Sequence, residues 1–161
     1  MIKANDLVDA IQTDKKNNAG IPGFGLIFSV DDFDFDWASL LYDVREKVND
    51  EDISKLLRAL WCMNTRGIDK SKALYLHKKY GMNSMLEKDK AFYDKLPNPI
   101  TVYRAGGEKG AGLSWSCSKE VAMGFAGYNP ALVVQTSVSK DKVLAAYDAG
   151  EQEIIFDAFD N

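Results

Sequence analysis

Ile100-Thr101-Val102-Tyr103-Arg104-Ala105, followed by Gly106-Gly107-Glu108-Lys109-Gly110-Ala111-Gly112 and then Leu113-Ser114-Trp115-Ser116, is the stretch on which the fold turns. β-branched and aromatic residues gather there in two short runs joined by a glycine-rich link, which reads as strand, hairpin, strand. The same character continues downstream, with strands expected over 131–138, 143–147 and 153–156. One helix interrupts them. Ser118 would cap it, Val121, Ala122 and Phe125 would face the core, and Gly127 would end it.

Upstream of Ile100 the apolar residues change period. Trp37, Leu40, Leu41, Val44 and Val48 recur at spacings that hold them on one face of a helix, and Ile53, Leu56, Leu57, Leu60 and Trp61 do the same after the capping pair Asn49-Asp50. A third helix is expected from Asp69 to Tyr80, stopped by Gly81, and a fourth opens on the capping-box spacing Ser84-Met85-Leu86-Glu87 and closes before Pro97. A short helix is expected around Leu7, Val8 and Ile11, with residues 17–23 as a turn-rich loop. The expected fold class is α+β. A helical lobe over 1–98 would pack on a mixed β-sheet core over 99–161, as one domain.

Composition narrows the function. A chain of 161 residues with 46% hydrophobic side chains is long enough to bury a core and short for two tandem domains. The net charge of −4 repels bare nucleic acid and anionic membrane, so direct nucleic-acid binding is not expected and such a partner would need a local basic patch. Cys62 and Cys117 stand far apart and outside any C-x-x-C, and a single histidine does not complete a zinc site with them, so no metal is expected. The first residues lack the apolar run of a signal peptide and no apolar stretch is long enough to span a bilayer, so the expected location is the cytoplasm.

The chemistry gathers in three patches: Arg104, the pair Ser114-Trp115-Ser116, and Glu151-Gln152-Glu153 ahead of Ile154-Ile155-Phe156. Side chains alternate along a strand, so Ser114 and Ser116 point the same way, as Glu151 and Glu153 do if extended. Arg104 sits among apolar neighbours, where a planar guanidinium can grip a phosphate group with two parallel bonds. Glu153, at the head of a hydrophobic strand, is placed to face positive charge developing on a sugar ring.

In order and setting, the three patches resemble the Arg, Ser-x-Ser, Glu-x-Glu trio of mono-ADP-ribosyltransferases, most of all small free-standing bacteriophage members. The resemblance implies NAD+ as co-substrate, held by Arg104 with Ser114, Trp115, Ser116 and Phe125, with Glu153 as catalytic glutamate and Glu151 engaging the acceptor. Ser114 would bond the catalytic carboxylate and the nicotinamide ribose, limiting their freedom before reaction. It also implies a protein partner in a bacterial host, with host cytoplasm as the place of action and inhibition of a host defence or host enzyme as an outcome. Trp115 stands where the family commonly has threonine, and Glu151 leans toward an arginine acceptor.

Other features weigh less. Gly107 and Gly112 have the spacing of a phosphate loop, but Leu113 occupies the lysine position. His77 has no paired acid or nucleophile and reads as structural. The run Asp31-Asp32-Phe33-Asp34-Phe35-Asp36 suits the positive N-terminal end of the Trp37 helix, or a basic partner. Two alternatives to a transferase stay open: an NAD glycohydrolase, with water as acceptor, and a non-catalytic acidic binding inhibitor on the same fold.

Overall fold

The structure, a computed structural model, describes residues 1–30, 34–106 and 112–159. It is an α+β protein with seven α-helices and five β-strands among the described residues, divided into two compact units, Met1–Ser84 and Met85–Asn161. No helix among them is long and apolar enough to cross a membrane.

The first unit holds α1 (Ala4–Lys16), α2 (Phe24–Phe28), α3 (Trp37–Val44), α4 (Asp50–Met63) and α5 (Lys70–Ser84). The anticipated stripes are in its core: Leu7, Ile11, Trp37, Leu41, Ile53, Leu56, Leu57 and Leu60 are all buried, and Leu76 joins them. Trp37 meets Trp61 edge-on at 6.4 Å and donates its indole N–H to the Asn64 carbonyl at 2.7 Å, which satisfies the buried polar tip. Asn49 caps α4 by accepting from Asp52 N at 2.9 Å, and Asp69 caps α5 by accepting from Lys72 N at 3.0 Å.

Three local expectations are corrected here. Gly81 does not stop α5, which runs on to Ser84; Tyr80, Gly81 and Ser84 are all buried, and that packing outweighs the roughly 1 kcal/mol a mid-helix glycine costs. α3 ends at Val44 and leaves Val48 beyond it, because Arg45 folds back, stacks at 3.7 Å on the Tyr42 ring and donates to the Tyr42 carbonyl at 2.6 Å. α2, five residues long, was not expected, since so short a helix shows no readable period.

The second unit begins with α6 (Glu87–Asp94): the compact units divide at Ser84–Met85, while the change from helix to strand comes at Ile100. Its N-terminus is capped by Asp89, not by Ser84: the fully buried carboxylate accepts from Leu86 N at 2.7 Å. The other Asp89 oxygen accepts from Asp148 N at 2.7 Å, which ties α6 to the end of a strand. Ser84 instead bonds back to the Gly81 carbonyl at 2.6 Å within its own unit.

The strands are β1 (Ile100–Ala105), β2 (Ser114–Ser116), β3 (Val133–Val138), β4 (Ala145–Tyr147) and β5 (Glu153–Ile155), with α7 (Lys119–Phe125) between β2 and β3. Their order is β3-β1-β2-β5-β4 and every pairing is antiparallel. The expected mixed sheet is therefore corrected to an antiparallel one. β1 to β2 and β4 to β5 are sheet neighbours joined by hairpin-length links, and parallel neighbours need a long crossover. Ser118 caps α7 by accepting from Val121 N at 3.3 Å. α7 spans only two turns, so Ala122 alone is buried, and Phe125, expected to face the core, is 69% exposed.

Candidate functional site

β2 lies between β1 and β5, and this order brings the three patches together. Register sets Ser116 opposite Glu153 and Ser114 opposite Ile155, so Ser114 and Glu153 are diagonal neighbours on one face. The Ser114 hydroxyl donates to the Glu153 carboxylate Oε2. From β1, Arg104 Nη1 donates to the main-chain carbonyl of Ser114 at 2.6 Å. One serine thus touches the cation through its backbone and the anion through its side chain.

Arg104 and Glu153 are both half-buried. Burial pushes the Arg104 guanidinium below its ordinary pKa, and the nearby Glu153 charge raises it again by less. An arginine does not shed its proton in a protein, so the cation stays charged in a half-buried place. Such a group is stabilised by any further anion brought to it.

The acidic patch is built by an unusual turn. Gly150 has φ +101 and Gln152 φ +49, the latter a left-handed conformation that non-glycine residues rarely adopt. Two bonds from β2 and its continuation pin the turn: Ser116 Oγ donates to the Glu151 carbonyl at 2.6 Å, and Cys117 N donates to the Gln152 carbonyl at 3.0 Å. Ser116 Oγ also accepts from Ser118 N at 3.0 Å, linking the turn to the cap of α7. The bend sends Glu151 into solvent while Glu153 enters the sheet.

No protein-family model matches the chain, and no curated protein or solved structure matches it either.

Ser114, Glu153 and Arg104 form one connected cluster. Ser116 is spent on the turn: it is buried and both its hydroxyl roles go to the main chain. Trp115 points to the opposite face, 4% exposed, with its ring 5.4 Å from that of Phe156 and its indole N–H donating to the Gly112 carbonyl at 3.1 Å. It is the floor beneath β2, with little surface left for a ligand. Phe125 is exposed at the end of α7 and makes no bond to the cluster among the described residues. Burial pushes the Cys117 thiol up to about 11, which favours its protonated form at neutral pH.

Two features escaped the sequence. Gln152 gives no local sign of a left-handed backbone, and Gly112 reads only as part of a flexible link. Residues 107–111 of that link and Asp31, Asp32 and Phe33 of the acidic run lie outside the described residues. His77 is 1% exposed in the helical unit, its Nδ1 2.9 Å from the Ala73 carbonyl, in keeping with a structural role.

Proposed function

We propose that this chain is an NAD-dependent mono-ADP-ribosyltransferase that modifies a side chain of a protein target. The observation that carries it is the Ser114–Glu153 hydrogen bond across paired strands, with the Arg104 guanidinium on the Ser114 carbonyl. The donor set fits a dinucleotide in kind. Arg104 offers the rest of its fork to a pyrophosphate, and Ser114 and Glu153 offer a hydroxyl and a carboxylate to ribose hydroxyls.

Each residue then has a separable task. Arg104 binds and orients. Ser114 holds the Glu153 carboxylate in place before reaction, which lowers the ordering cost at the transition state. Glu153 stabilises the positive charge that grows on ribose as the bond to nicotinamide breaks, as a fixed carboxylate does in glycoside cleavage. Glu151, exposed on the outer side of the turn, is free of the sheet to meet the acceptor and take its proton. The proposed target is a protein of a bacterial host, and the proposed setting is a phage-encoded inhibitor of a host defence or host enzyme, acting in host cytoplasm.

NAD+ labelled on its adenylate half, incubated with the protein and a bacterial lysate, tests this. Labelled protein from wild type and none from Glu153→Ala is expected. Nicotinamide release with no labelled protein would make the chain a glycohydrolase, and neither product would leave a binding inhibitor as the reading.

A further inference from the structure

Gly112 stands two residues before Ser114 and is buried. Space calls for glycine at this position. A Cβ built on Gly112 would lie 2.6 Å from Arg104 Nη1 and closer still to Cζ and Nη2. The guanidinium therefore occupies the volume that any other residue would fill with its own side chain.

The main chain at Gly112 is not free to retreat. Its carbonyl accepts from Trp115 Nε1 at 3.1 Å, and the next carbonyl, of Leu113, accepts from Phe156 N at 3.2 Å. Trp115 and Phe156 are themselves buried against each other. Moving the backbone would break that packing, whereas the guanidinium ends a long flexible side chain and yields first.

We propose that Gly112 is a positioning residue: by lacking a side chain it seats the Arg104 guanidinium on the Ser114 carbonyl, in the place from which Arg104 grips a nucleotide pyrophosphate. The pyrophosphate half of this inference rests on the transferase function proposed above; the seating itself does not. A methyl group at residue 112 displaces the guanidinium and spares the fold. Because Gly112 acts only through Arg104, it has no effect once Arg104 is gone.

NAD+ affinity measured by calorimetry in wild type, Gly112→Ala, Arg104→Ala and the double variant tests the proposal. Gly112→Ala is expected to weaken binding about fivefold and Arg104→Ala about tenfold or more, with the double variant no weaker than Arg104→Ala alone. Unchanged affinity in Gly112→Ala, or losses that add, would overturn it. So would a Gly112→Ala protein that fails to fold, since the guanidinium would then not be what yields. Without NAD+, the Arg104 side-chain Nε–H resonance in ¹⁵N-labelled protein is expected to move in Gly112→Ala while the Ile154 and Ile155 amides stay. A stationary Arg104 resonance would overturn the seating. Wild-type protein that binds no NAD+ would overturn the transferase proposal and the pyrophosphate half of this one together, with the resonance deciding the seating separately.

Discussion

His77 in the helical unit and Arg104 in the strand unit are both withdrawn from water, and the two units treat them in opposite ways. His77 lies under Trp61, ring to ring at 4.7 Å, with its Nδ1 against the Ala73 carbonyl, and burial pushes its pKa down to about 4. A pKa so far below neutral leaves the ring uncharged at physiological pH. The buried carboxylate of the same unit, Asp52, is neutralised by Lys15 at 2.9 Å. Arg104 has no such escape, because a guanidinium keeps its proton, and its opposite charge, Glu153, is bonded through Ser114. A scaffold sheds or pairs its buried charge, while a site keeps charge poised for something that arrives.

That contrast breaks first at Glu153. Glu153→Gln keeps the size of the side chain and removes the charge, so the transfer rate is expected to fall on the order of a thousandfold with the melting temperature little changed. A rate within threefold of wild type would dissolve the difference between the units. Acid tests the other side. His77 has a lowered pKa in the fold, so its contribution to stability is full above about 6.5 and is lost as pH falls toward about 4. The loss is on the order of 3 kcal/mol at most. Denaturant titrations across that range should show wild type weakening more steeply than His77→Leu; parallel curves would mean His77 is not the group that resists protonation.

Arg104→Ala should weaken NAD+ binding about tenfold or more without loss of fold, read by calorimetry. An equal loss in His77→Leu would show that the effect is general, not local to the strand unit. The smallest expected effect is at Ser116. Ser116→Ala removes the bond to the Glu151 carbonyl and should cost about 1 kcal/mol of stability, with a few-fold fall in kcat as the acidic turn loosens. A fall in NAD+ affinity in place of kcat would return Ser116 to a binding role.

What the sequence made legible was local. Asn49 and Ser118 cap helices by reaching backbone N–H groups a few residues away, so their spacing alone announces them. Arg104, Ser114 and Glu153 could be placed on strands because β-branched neighbours mark the runs that carry them. What stayed hidden depends on parts of the chain far apart in sequence. Asp89 has two tasks because Asp148 folds beside it, and Gly112 is a glycine because Arg104 crosses it. The family resemblance makes Trp115 a cofactor residue, yet strand alternation turns it to the face opposite Ser114, where Phe156 covers it. Spacing sets Phe125 toward the core and does not reveal how short its helix is.

Nicotinamide release is shared by transfer and hydrolysis, so it tests the central claim without knowledge of the acceptor. Wild-type protein with NAD+ and a bacterial lysate is expected to release nicotinamide steadily, and Glu153→Gln to release none above the lysate alone. Release by Glu153→Gln at the wild-type rate, or none from wild type, would contradict the assignment of Arg104, Ser114 and Glu153 as a site that splits NAD+.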